Sequence, residues 1–230
     1  AQAVDIDQLY MTLDTVRNVH IQKFNDAQEL ENIWISEGLG AYLFEQPAAV
    51  TFVNKNSGKI YRKHQGAVQL VSRGGEMELE RPWGLLPFKN ISELPASYEW
   101  EYMSDTVLED GLPVRIYEWR WTERPNSQLQ IRHIWRGYLE PGSFLPYKIE
   151  CLDAVNELPM ELIMEMKIRY PSDAECGDEF RERGFEGLVY GIQNDALAKF
   201  PPASNTGWTE EAVVLSTWPS ANTALNRPEE

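Results

Sequence analysis

Glu161-Leu162-Ile163-Met164-Glu165-Met166-Lys167-Ile168-Arg169-Tyr170, with Tyr98-Glu99-Trp100-Glu101-Tyr102 earlier in the chain, sets large apolar side chains on alternate positions. Leu162, Met164, Met166, Ile168 and Tyr170 interleave with Glu161, Glu165, Lys167 and Arg169. A period of two belongs to a β-strand with one charged face and one aromatic, Met-rich face. Working outward, the whole stretch from Tyr98 to Tyr170 reads as a meander of such strands. Glu109-Asp110-Gly111 turns into Val114 to Thr122, Arg124-Pro125-Asn126-Ser127 into Leu129 to Tyr138, and Glu140-Pro141-Gly142 leads to Tyr147 to Leu152. Ile116 and Tyr117 break the alternation, which predicts a bulge or a strand apolar on both faces.

Composition bounds the function. With 230 residues, of which 43% are hydrophobic, the chain can build one large core. We read one β-rich domain over residues 1–200 and a C-terminal extension over 201–230, partly packed and then mobile. A net charge of -15 repels phosphate backbones, so no nucleic-acid partner is expected. No run of about eighteen apolar residues occurs, so no helix is expected to cross a bilayer. The chain begins Ala1-Gln2-Ala3 rather than with Met, which fits a product from which a signal peptide or membrane anchor has been removed.

Before the meander the periodicity differs. Ile6, Leu9, Leu13 and Val16, widened by Tyr10, predict an amphipathic helix over the first eighteen residues. Val19 to Gln22 and Glu31 to Ile35 then read as strands joined by a turn around Asn25, Asp26 and Ala27. Ala49 to Val53 and Lys59 to Lys63 flank Asn54-Lys55-Asn56-Ser57-Gly58, a hairpin signal, and Val68 to Ser72 is a further short strand. Arg81 to Pro95 holds three prolines among Trp83, Leu85, Leu86 and Phe88, and reads as an irregular or short helical insertion folded over the sheet. Asp178 to Arg183 and Gly187 to Phe200 read as short helices.

Catalytic motifs are not found. There is no GxSxG, HExxH, phosphate loop or Cys near a His in sequence, so no catalytic residue is assigned. There is no CxxC, and His20, His64 and His133 lie far apart, so neither a metal nor a cofactor is expected. The carboxylates Glu99, Glu101, Glu161 and Glu165 sit on charged strand faces, where Lys167, Arg169 and, on the strands expected alongside, Arg120, Arg132 and Arg136 can pair with them and with Glu118. His133 alternates with Ile131 and Trp135 and so points inward, where a hydrogen-bonded core histidine is the ordinary reading. Cys151 and Cys176 fit either a bridge between neighbouring elements or two buried thiols.

The inward-facing set is Trp100, Tyr102, Trp119, Trp121, Leu129, Ile131, Trp135, Leu162, Met164 and Met166. A strand from Met160 to Tyr170 would span roughly 35 Å, and one good helix is too little to fill so long a sheet. The expected fold is therefore mainly β: a curved antiparallel sheet or incomplete β-barrel, covered by the N-terminal helix and the insertion, with that set lining an apolar cavity.

The order of helix, Asn18-Val19-His20-Ile21, Trp34-Ile35-Ser36, the Asn56-Ser57-Gly58-Lys59 hairpin and Glu109-Asp110-Gly111-Leu112-Pro113-Val114 resembles the LolA-like lipoprotein-carrier superfamily. Leu145-Pro146-Tyr147-Lys148-Ile149 and Lys167-Ile168-Arg169-Tyr170-Pro171 are similar to its late strands, so the resemblance covers about residues 4–171. It implies an incomplete antiparallel barrel with a helical lid, a periplasmic or extracytoplasmic location, and a lipid or acylated protein as ligand. It also implies an alternative: an envelope sensor or protein-interaction domain of the anti-sigma-factor-associated type, membrane-anchored in the full-length protein, with a filled core and an envelope protein as partner. An enzyme working in the cavity through Glu or His133 is the third reading.

Overall fold

The computed structural model describes residues 6–25, 28–64, 66–73, 100–123 and 128–185. In chain order these form α1 (Ile6–Leu13), β1 (Asn18–Asn25), β2 (Gln28–Ser36), β3 (Ala41–Gln46), β4 (Ala49–Asn54), β5 (Lys59–His64), β6 (Ala67–Arg73), β7 (Glu101–Val107), β8 (Pro113–Glu123), β9 (Ile131–Leu139), β10 (Pro146–Val155), β11 (Glu161–Arg169) and α2 (Asp173–Glu182). The insertion expected at 81–95, the helix at 187–200 and the extension over 201–230 lie outside the described residues.

All eleven strands belong to one sheet, in the order β6-β5-β4-β3-β2-β1-β11-β10-β9-β8-β7. Two antiparallel meanders are joined back to back by the pairing of β1 with β11, where Ile21 sits opposite Ile168. Among the described residues the sheet stays open, with β6 and β7 as its edges. Strand twist accumulates across so many strands, and open sheets beyond about ten strands curl. The result has the expected class: mainly β, antiparallel and unclosed.

Register assigns every side chain to a face. The inner face carries Val19 and Ile21, Ile33 and Ile35, Tyr42 and Phe44, Val53, Ile60, Ile149 and Cys151, Met166 and Ile168, all buried in one cluster with Leu9 and Leu13 of α1. The N-terminal helix thus packs on the inner face as expected. It is shorter than its hydrophobic stripe suggests, because Thr15 and Val16 close a turn onto Thr12 and Leu13 ahead of β1. The outer face of the first meander holds a second cluster of Trp34, Ala41, Leu43 and Phe52, covered by Cys176 and Phe180 of α2 and by Phe185. Phe185 stacks on Phe52 at 4.9 Å, and Phe180 meets it edge-on at 5.7 Å.

α2 starts at a capping box: Ser172 accepts from the Glu175 backbone N–H while the Glu175 carboxylate accepts from the Ser172 N–H. It starts five residues before the helix read from Asp178. Its first residue lies so close to the β2–β3 turn that a Cβ on Gly38 would fall 2.5 Å from the Asp173 carboxylate oxygens. Only glycine fits that approach. Cys151 points to the inner face and Cys176 sits on the side of α2 that packs on the outer face; both are free and buried, which settles the open question of a bridge.

Candidate functional site

The inner face of β8–β11 is where the expected lining falls. Paired positions share a face, so Trp121 opposite His133, Trp119 opposite Trp135, Trp135 opposite Cys151 and Cys151 opposite Met164 run across four strands as one apolar band. Trp119 and Trp121 stack at 4.5 Å, and Trp121 stacks in turn on His133 at 4.6 Å. Trp135 stands edge-on to both indoles, at 5.1 and 5.3 Å. Such offset and edge-to-face arrangements are the favoured geometries of aromatic rings.

Trp100, Trp119, Trp135 and Met166 are buried, while Tyr102, Trp121 and Met164 are partly buried against the same cluster. Ile131 opens β9 half-buried, opposite Glu123 and Val155. Two expected lining residues are elsewhere. Leu129 precedes β9, which starts at Ile131, and is 46% exposed. Leu162 is 45% exposed. A register shift between Cys151 and Leu152 sets it opposite Leu152 rather than in line with Met164, and so turns it to the outer face.

The structure adds residues that the sequence reading passed over. Tyr117 lies on the inner face, wholly buried, between Tyr102 at 5.8 Å and Phe144 at 6.2 Å. Its Oη has no hydrogen-bond partner among the described residues. Phe144 holds a φ of 59°, a strained backbone for an aromatic residue, fixed by its burial and by its N–H donating to Glu140 O at 3.0 Å. The irregularity anticipated at Ile116 and Tyr117 is real but sits on the facing strand: Tyr102 pairs with Tyr117 and Ser104 with Ile116, leaving Met103 as the extra residue.

Polar groups on this face gather at its ends. His133 Nδ1 lies 2.7 Å from Asp153 Oδ1, and its Nε2 lies 3.6 Å from Glu123 Oε1. At the β1–β2 end, Lys23 is buried with Glu31 at 2.7 Å, and Gln46 donates to the other Glu31 oxygen at 2.8 Å. Burial drives the Cys151 thiol well above its ordinary range, with Asp153 and Glu150 adding to the shift, so it is not a nucleophile near neutral pH. Among the described residues, no group of His, Cys, Asp and Glu is arranged to hold a metal ion.

The outer face of β7–β11 carries the charges, joined in one chain. Arg120 contacts Glu101 and Glu118; Arg136 reaches Glu118 at 2.7 Å and Glu150 at 3.0 Å; Lys148 bridges Glu150 and Glu165, each at 2.8 Å. Burial alone would raise the Glu150 carboxyl, but Lys148, Tyr138 and Arg136 outweigh it and hold the group below its usual range. Arg132 differs: it donates to the Leu158 carbonyl at 2.7 Å and borders an open recess of about 360 Å³ with Arg120, Thr122, Ile134 and Met160.

No family model matches the chain, and no curated protein does. Among solved structures, a DUF1329 family protein from Desulfovibrio piger ATCC 29098 is similar at 10% identity, with 74% of this chain and 95% of that chain covered and a TM-score of 0.19.

Proposed function

We propose that this protein is a non-enzymatic, extracytoplasmic domain that holds a lipid-like or acylated ligand against the inner face of its sheet. The observation that carries the reading is a mismatch of areas. Eleven strands at about 4.8 Å spacing span roughly 48 Å, whereas the eight residues of α1 make a rod about 12 Å long. Among the described residues α1 is the one helix on that face. On that face Tyr102, Trp121 and Met164 stay only partly buried, and an acyl chain suits this part of the band, because Met adapts to flexible partners. Burying such a chain supplies on the order of 10 kcal/mol before ordering costs, at about 0.8 kcal/mol per methylene.

The self-packed column of Trp119, Trp121 and His133 favours a second reading, an envelope sensor or protein-interaction domain whose core is filled by its own rings. Titration with a fluorescent fatty acid separates the two. The lipid reading expects saturable binding that Met164→Gln weakens about tenfold, equivalent to about 1.4 kcal/mol. No binding, or binding that Met164→Gln leaves unchanged, goes against it.

A further inference from the structure

A chain of polar contacts on the outer face ties the centre of the sheet to α2. Arg169, the last residue of β11, donates from Nε at 3.1 Å and from Nη2 at 2.9 Å to Nδ1 of His20. Since a guanidinium only donates, Nδ1 accepts, and the imidazole is neutral with its proton on Nε2. That Nε2–H donates to Asn32 Oδ1 at 2.6 Å. Asn32 Nδ2 donates to Glu45 at 3.1 Å, and Glu45 accepts from Arg183 at 2.8 Å, just past the end of α2. The ring lies flat on Trp34 at 3.7 Å, with the Arg169 guanidinium 5.5 Å from the same indole. At the other end of α2, Asn18 donates to Asp173 at 2.7 Å and to the Pro171 carbonyl at 3.1 Å.

Protonation of His20 places a proton on the one nitrogen that Arg169 already faces with its own donors. The hydrogen bonds are lost and two cations are left in contact. Around the ring, β11 supplies Arg169 and, two residues back along the strand, Lys167; β3 supplies Glu45; α2 and its cap supply Asp173, Glu175, Glu179 and Arg183. The nearest of these charges is the Arg169 cation, and the Glu45 carboxylate is engaged by Arg183. We infer that α2 is an acid-released cover: His20 senses the proton, Arg169 transmits it to the Tyr170-Pro171-Ser172 segment that leads into the helix, and release bares the apolar surface of Trp34, Leu43 and Phe52.

Burial is the main reason that the His20 pKa is lowered, with Arg169 and Arg183 acting in the same direction, from 6.5 to about 4. If opening restores the ordinary value, linkage shifts the closed-to-open ratio by about twentyfold between pH 7 and pH 5.

Cys176 is a natural reporter, because it sits on the sheet-facing side of α2 and is fully buried. In a Cys151→Ser background it is the sole thiol, and 4,4′-dithiodipyridine labels it across this pH range. Normalised to the unfolded chain at each pH, its labelling rate is expected to rise about twentyfold from pH 7 to pH 5, and to stay flat in His20→Gln. Cys151, followed in a Cys176→Ser background, is expected to stay protected throughout. An equal rise in His20→Gln, no rise in the parent, or Cys151 labelling as fast as Cys176 at either pH overturns the proposal. Should His20→Gln fail to fold, Arg169→Met takes its place: removing the cation is expected to blunt the rise, and an undiminished rise overturns the proposal equally.

Discussion

Single side chains on the two faces of this sheet answer to different costs. Glu118 is 4% exposed and lies between Arg120 and Arg136. Glu118→Gln leaves the half-buried Arg136 and the exposed Arg120 short of a counter-charge and is expected to destabilise by about 2–4 kcal/mol in urea unfolding. Tyr117 poses the opposite case. Its buried Oη lacks a partner among the described residues, so Tyr117→Phe is expected to be neutral or stabilising by up to about 1 kcal/mol; a loss larger than that would show that the hydroxyl is used. His20 sets the acid limb of stability. Its folded pKa is depressed, so the unfolded chain binds more protons between pH 6.5 and about 4, and stability is lost as pH falls through that window. Between pH 7 and pH 5 that loss is about 2 kcal/mol, and His20→Gln should remove it from the pH dependence of urea unfolding. Below it, Glu150 contributes in the same direction: its carboxyl is held low by Lys148, Tyr138 and Arg136, and its stabilisation disappears as pH falls through its folded pKa.

At the scale of elements, what the sequence made legible followed from one-sided burial. β8 to β11 each have a wet and a dry face, so their alternation could be read directly. β3 could not, because Ala41 and Leu43 lie under α2 while Tyr42 and Phe44 face inward, and a strand buried on both sides shows an apolar run without period. Leu162 was misassigned for a different reason: one extra residue in a bulge reverses the facing of all that lies beyond it, and no residue type at Leu162 or Ile163 marks that bulge. The aromatic core of the candidate site, Trp100, Trp119 and Trp135, was legible; Tyr117 was not, because Ile116 beside it disturbs the pattern. α2 depends on its cap. Ser172→Ala removes the side-chain acceptor for the Glu175 N–H and should cost about 1 kcal/mol, seen as faster hydrogen exchange in the first turn of α2.

For the molecule as a whole, an open sheet carries two apolar clusters on opposite faces, each with its own helix and its own cysteine. Neither thiol is expected to react with a thiol reagent in the native state at neutral pH, since burial raises both, Cys176 to about 12; two should appear on unfolding. The two faces also divide the work. The outer cluster is sealed by α2, Phe180 and Phe185 packing on Phe52, whereas among the described residues α1 is the one helix on the inner face, where Tyr102, Trp121 and Met164 stay partly exposed. That difference is the basis for placing the ligand inside. Native mass spectrometry of the protein purified without detergent, followed by solvent extraction, tests it most directly. The account predicts a mass in excess of the chain that solvent removes and that is identified as lipid or acylated material. A chain that is bare in every preparation, and stays bare after incubation with fatty acid, would contradict it.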